Sequence, residues 1–310
     1  MILILSNPQD VHARHIAKQL RLRGREVVCF SRADFGTGAS LAFRPGADQG
    51  AIRLADGTRI ISDDVSAVWY RRPGSVASDP TISDELDRSF AENEWMHALD
   101  GFFTSVFPRI VSPPLKQRAA TKPIQLSLAS RLGLRVPETL ITSEPEEALT
   151  FVAAHQGRVV HKAMTAPPHQ FIDTRAWDSE ASRHIADISL CPTIFQERIV
   201  GPADVRATVV GEQIFSACIQ SASGRASVDS RLDSDAPCAP YDLPSDVEAA
   251  ILRLMNELEL LFGTVDLKVT DCGEHVFLEV NPQGQFLYIE ILTGLPISNA
   301  LADFLACDNT

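Results

Sequence analysis

The chain has no apolar run approaching the roughly 20 residues that span a bilayer. Its first five residues are apolar, but too few for a signal peptide, and no cleavage site follows. They read as a buried first strand. The six cysteines, at positions 29, 191, 218, 238, 272 and 307, include no CxxC pair. This scatter argues against a zinc site or a disulfide framework and leads to the expectation of reduced thiols in the cytoplasm. No GxGxxG follows the first strand, so a dinucleotide site is not expected there. No Ser-His-Asp or Cys-His nucleophile arrangement is visible. Basic charge is scarce in the back half: residues 136–310 carry 10 Lys/Arg against 26 Asp/Glu, whereas residues 1–135 carry 18 against 14. That balance argues against a nucleic-acid partner, whose phosphates need a basic patch. It suits cations, or a peptide with basic residues.

What remains is ordinary globular material. The 310 residues are 45% hydrophobic and 22% charged, enough for two or three compact units. MILILS, a helix over residues 11–23 stopped by Gly24, and EVVCFS read as a β-α-β start. His12 and His15 lie one helical turn apart. No carboxylate pattern makes a metal pair of them, so both read as ordinary histidines. Residues 51–61 read as a hairpin turning at Asp56-Gly57, residues 66–70 as a strand and residues 85–103 as a helix. A Pro-containing segment, 108–114, marks a domain boundary. Pro123 sits in the first turn of a helix that Gly133 ends. Strands are expected over residues 158–164, 193–199 and 205–210, and a helix over 244–261. Residues 221–240, rich in Ser, Ala, Asp and Pro, read as a loop.

The most telling stretch is residues 262–290. GTVDLKVT and HVFLEVN alternate apolar and polar residues around the turn Asp271-Cys272-Gly273-Glu274. If Thr270 and His275 close that loop, Asp266 falls opposite Glu279, and Asn281 shares their face. Val265, Leu267, Val269, Val276, Leu278 and Val280 are then expected on the other face. Three oxygen ligands on one hairpin face suit Mg²⁺, which binds few carboxylates and takes substrate phosphates.

This hairpin resembles the metal-binding end of the ATP-grasp ligases. The continuation Gln283-Gly284-Gln285-Phe286, Tyr288-Ile289-Glu290 and Thr293-Gly294-Leu295-Pro296-Ile297 resembles the MvdD/MvdC-type maturases, the graspetide synthetases, as does Trp69-Tyr70-Arg71-Arg72-Pro73. The resemblance implies an α/β (α+β) chain. It would have a Rossmann-like pre-ATP-grasp domain (1–115), a central lobe (116–195) and a C-terminal lobe with the metal site (196–310). It also implies roles residue by residue. Lys122 and Lys162 resemble the two nucleotide-binding lysines. Gln196, Glu197 and Ile199 lie in the hinge that meets adenine. Asp204 resembles the acceptor of the ribose hydroxyls. Arg206 is the candidate for the γ-phosphate, and its alternative is a surface ion pair with Asp204. Asp229-Ser230-Arg231 resembles an Asp-Trp-Arg motif whose arginine faces the acyl phosphate, with serine here in place of tryptophan.

The implied reaction uses ATP and Mg²⁺ to activate Asp or Glu side chains of a ribosomally made precursor peptide as acyl phosphates. Ser, Thr or Lys side chains then close ester or amide crosslinks. Asp229 and Glu290 are candidates for the general base. Arg71 and Arg72 would contact the acceptor peptide or the phosphates, or tie the first domain to the last. A leader segment would dock on residues 163–191, around His169-Gln170-Phe171, and a homodimer is a further expectation. Two other readings are a RimK-like ligase adding an amino acid to a carboxylate, and a non-catalytic ATP-binding module.

Overall fold

The computed structural model describes residues 1–307 except Asp48, Pro108, 166–171 and 221–235. It opens with β1 (Ile2–Ser6), α1 (Val11–Leu22) and β2 (Val27–Phe30), the expected β-α-β start. Asp10 caps α1 by accepting from the Ala13 amide, and Gly24, at φ +74°, ends it. A small antiparallel sheet follows, of β3 (Ser40–Arg44), β4 (Gln49–Arg53) and β5 (Arg59–Ile61). Then come β6 (Ala67–Arg72), the long helix α2 (Glu85–Val106) and β7 (Ile110–Val111). The parallel sheet runs β2-β1-β6-β7. Ile2 and Ile4 of β1 enter one core, Leu3 and Leu5 another. A strand covered on both faces has no polar side, which explains the unbroken apolar start.

Next come α3 (Pro114–Ala119) and α4 (Lys122–Arg131), with Pro123 in its first turn as anticipated. A central antiparallel sheet is built from β8 (Thr139–Thr142), β9 (Val159–Lys162), β10 (Arg175–Ala176) and β11 (Thr193–Glu197), in the order β10-β9-β11-β8. Helix α5 (Pro145–Ala154) covers one face, and α6 (Ser179–Arg183) follows β10. The core of this lobe is local: Ala148, Val152, Val159 and Phe195, with Trp177 against them. Strand β11 continues past the expected division at 195/196, so Gln196 and Glu197 pair within the central sheet. Conversely, Leu126 and Ala129 of α4 pack with Val205, Ala207 and Phe277 of the last sheet.

That last sheet holds β12 (Ala203–Val210), β13 (Gln213–Gln220), β14 (Cys238–Pro240), β15 (Phe262–Val269) and β16 (His275–Asn281), in the order β14-β13-β12-β15-β16. Helix α7 (Ser245–Glu257) covers one face, and α8 (Leu287–Thr293) and α9 (Ile297–Ala306) end the fold. The opposite face joins the first domain. Ile2, Ile4, Ile16 and Trp69 share one core with Phe262, Phe286, Ile289, Ile297 and Leu301. Each such side chain contributes about 2 kcal/mol on burial. An exposed pair such as Arg23–Asp303, at 2.7 Å, adds at most about 1 kcal/mol. Apolar burial therefore dominates the joint.

His12 lies in this joint. Its Nε2 accepts from the Phe286 and Leu287 amides at 3.1 and 3.3 Å, so it is a satisfied core histidine. Burial, reinforced by Arg71, lowers its pKa from 6.5 to about 4 despite Asp10. The unfolded chain thus binds a proton that the folded chain refuses between these values. This contribution is whole above pH 6.5 and declines as pH falls toward about 4. The loss amounts to at most about 3 kcal/mol. We expect urea stability to fall over that window, and His12→Gln to flatten that part of the profile. An equally steep profile in the variant would place the titration elsewhere.

Candidate active site

Asp266 and Glu279 do stand opposite each other. The route to that register differs from the expected one. The turn is closed by Val269 and His275, and a bulge beyond Leu267 restores the pairing at Asp266↔Glu279. The bulge also changes which residues face the core. Phe277, not Leu278, is fully buried among Val265, Leu267 and Val280, and Leu278 is only partly buried. Val276 pairs with Lys268, on the face of Asp266, and so leaves the core face assigned to it.

Strand β12 lies on the other side of β15, and residues alternate in the same way along both. Three rungs therefore cross the face away from α7: Asp204–Lys268–Val276, Arg206–Asp266–Glu279 and Thr208–Thr264–Asn281. Arg206 Nη1 donates to Asp266 Oδ1 and Oδ2 at 3.0 and 3.3 Å, Nη2 to Thr264 Oγ1 at 3.0 Å, and Nε to the Gln285 carbonyl at 3.2 Å. The Tyr288 ring lies 5.8 Å below its guanidinium, and burial raises the Tyr288 pKa. Asp204 is paired to Lys268 Nζ at 3.0 Å. The surface ion pair weighed for Asp204 and Arg206 is thus replaced by two cross-strand pairs on largely buried positions. Residues two apart on one strand lie roughly 7 Å apart, whereas cross-strand partners approach to about 5 Å.

Lys122, in the first turn of α4, places Nζ 3.4 Å from Glu279 Oε2 and donates to the Ala163 carbonyl at 3.2 Å. Lys162 ends β9 and pairs with Ile194, alternating with Val159, which faces the local core. Gln196 is buried and donates to Thr139 Oγ1 at 3.0 Å. Glu197 accepts from Arg135 at 3.4 Å. Glu197 and Ile199 meet in a cavity of about 290 Å³ just after β11, with Arg135, Arg158, Arg198 and Thr270. Asn281 Oδ1 accepts from the Gln283 amide at 3.0 Å, which shapes the turn after β16.

Geometry bears on two further expectations. Glu290, a candidate general base, accepts from the Ser298 amide at 2.6 Å and so caps α9. Arg71 is the tie between domains: it is buried and donates to the carbonyls of Gln283 and Gly284, the latter at 2.8 Å. Its orientation is backed by Asp10, 3.6 Å away, and burial lowers its pKa. Arg72 also reaches the Gln283 carbonyl, at 3.3 Å. Asp229, Arg231 and His169-Gln170-Phe171 lie outside the described residues.

Sequence reasoning missed Thr264, Lys268 and Tyr288. The first two were within reach, since GTVDLKV puts them on the face of Asp266 by the same period of two. Among the described residues no three His, Cys, Asp or Glu side chains gather as a metal cluster. The hairpin offers two carboxylates, Asp266 and Glu279, and the amide oxygen of Asn281. These are hard donors, and they fit Mg²⁺ better than a softer metal.

Residues 1–117 match the MvdD pre-ATP grasp domain. A search of curated proteins gives no match. Among solved structures the chain resembles the macrocyclase MdnC of Microcystis aeruginosa MRC, crystallised with precursor peptide MdnA. Identity is 28%, 98% of each chain is covered and the TM-score is 0.85. It also resembles a RiPP-associated ATP-grasp ligase of Chryseobacterium gregarium, in complex with ADP and a leader and core peptide. There identity is 27%, coverage 98% of this chain and 96% of the other, and TM-score 0.86. A RimK domain ATP-grasp protein of Sphaerobacter thermophilus DSM 20745 is 18% identical over 99% of both chains at a TM-score of 0.62, a likeness of fold alone. The chain thus carries an MvdD pre-ATP grasp domain at its head and, over nearly its whole length, resembles ATP-grasp ligases of the graspetide-synthetase kind.

Proposed function

We propose that this ligase closes ester or amide crosslinks in a ribosomally made precursor peptide, at the expense of ATP. A carboxylate oxygen of a substrate Asp or Glu attacks the γ-phosphorus, and ADP leaves. A Ser or Thr hydroxyl, or a Lys amine, then attacks the acyl carbon of the resulting acyl phosphate, and phosphate leaves. The peptide loses the atoms of one water per bond.

The observation that carries this reading is the rung Arg206–Asp266–Glu279 with Lys122 beside it. Asp266, Glu279 and Asn281 would hold Mg²⁺. Bound there, the metal would neutralise charge on the transferring phosphoryl group. The chain's own groups do the rest. Arg206 holds Asp266 in place through two bonds to its carboxylate and is itself fixed by Thr264 and Gln285. Lys122 and Lys162 bring positive charge to the phosphates, Asp204 accepts from ribose, and the Gln196–Ile199 hinge borders adenine. Such preorganised charges need no reorganisation when the reaction occurs. Arg231 is proposed to face the acyl phosphate. The precursor's leader is proposed to dock on residues 163–191, and the enzyme to work in the cytoplasm as a homodimer.

The test is the intact mass of the precursor encoded beside the gene, after incubation with enzyme, ATP and Mg²⁺. Loss of one water per bond with ADP release is expected. Gain of an amino-acid residue mass would move the enzyme to the RimK-like reading, and ADP-free peptide of unchanged mass would count against both.

A further inference from the structure

Lys268 is charged, has only 4% of its surface exposed, and stands on the Asp266 face of β15, between Asp204 of β12 and Val276 of β16. An ammonium so deeply covered is costly unless paired. Its carbon stem runs beside Val276, its rung neighbour, and its Nζ lies 3.0 Å from Asp204 Oδ2. Asp204 is itself well covered, with 15% of its side chain exposed against 6% for Lys268. A carboxylate so placed is likewise costly unless paired, and the 3.0 Å contact with the ammonium fixes the direction in which it points. A side chain turned from that direction is spoiled as an acceptor of two hydroxyl protons.

We infer that Lys268 is a positioning residue that holds the Asp204 carboxylate aimed at the nucleotide's ribose, and so sets the enzyme's discrimination between ribo- and deoxyribonucleotides. This rests on the ribose reading of Asp204 proposed above. The geometry gives the cross-strand pair a division of labour. Asp204 contacts the sugar, and Lys268, one strand further in, fixes the Asp204 side chain without touching the sugar.

The readout is the ratio of kcat/KM for ATP to that for 2′-deoxy-ATP and for 3′-deoxy-ATP, measured as ADP release with precursor present. A charged acceptor bonded to a hydroxyl is worth roughly tenfold or more, so the wild-type ratio should be at least about ten for one analogue. Asp204→Asn should bring it to within about threefold of unity. Lys268→Met should do nearly the same, and Lys268→Arg should keep most of the ratio. Simple damage to the fold lowers all three nucleotides alike and leaves the ratio standing, and Lys268→Gln serves where Lys268→Met fails to fold. If Asp204→Asn loses discrimination while Lys268→Met and Lys268→Gln keep it, the inference is wrong and the ribose reading survives. If Asp204→Asn keeps the wild-type ratio, or the wild type shows none, the ribose reading falls and the inference with it.

Discussion

Replacing Glu279 and Asn281 together by alanine should leave a folded protein that releases almost no ADP. The two side chains supply two of the three oxygens on the hairpin face, and Glu279 is also the partner of Lys122 at 3.4 Å. A preorganised charge contact of this kind contributes about 3–4 kcal/mol to a transition state, so losing two should slow turnover by about ten-thousandfold or more. The fold should tolerate the change because the core contacts of β16 come from Phe277 and Val280, which stay. The structural cost is chiefly the Asn281–Gln283 hydrogen bond, about 1 kcal/mol. ADP release and a thermal melt, measured side by side, separate the two effects. Ordinary ADP release by the folded double variant would sink the metal assignment.

Gly284→Ala is the second large effect, and it acts through space rather than charge. A Cβ built on Gly284 would stand 1.8 Å from Thr264 Oγ1 and 2.5 Å from Thr264 Cβ. Thr264 is fully buried, and its hydroxyl accepts from Arg206 Nη2. The neighbouring Gln285 carbonyl also receives Arg206, and the Gln283 and Gly284 carbonyls receive Arg71. One methyl group therefore loosens Arg206 on two sides. We expect about 2–3 kcal/mol of lost stability, the usual scale of overpacking. Activity should fall further than that loss explains, by about a hundredfold, because charged side chains must hold their geometry for catalysis. Gly101→Ala is the control: its Cβ meets nothing within 4 Å, and alanine suits the interior of α2. A Gly284→Ala enzyme with wild-type ADP release would show that Arg206 need not be held by this turn.

The pairing of Asp266 with Glu279 was legible because alternation and turn chemistry are local, and both are written in the hairpin itself. The bulge that puts Phe277 in the core and Leu278 outside it was not, since a bulge is chosen by packing against α7 and α4. Strand β13 and helices α8 and α9 went unread, and QIFSACIQ, with Ile214-Phe215 and Ala217-Cys218-Ile219 in apolar runs, shows no clean period of two. Flanked by a loop, it lacked the motif that drew notice to its neighbours. Arg71 could be placed near the site only by its motif. Its partners lie 212 and 213 residues away, and no spacing rule spans that distance. The same holds for Glu290, whose capping of α9 depends on a helix that had not been anticipated.

The apolar joint between the first domain and the last sheet bears on how the molecule can be recombined. Residues 1–112 and 203–307 share one continuous core, so a graft cut near residue 115 would split it and expose Trp69, Phe262 and Phe286. The central lobe keeps its own core and is entered and left by the chain only near Pro137 and Gly201. Gly201 itself belongs to the receiving side, where a Cβ would lie 1.8 Å from the Val269 carbonyl. A cassette of residues 138–198, exchanged between relatives, would carry its own packing with it and leave the hairpin ladder of the recipient intact.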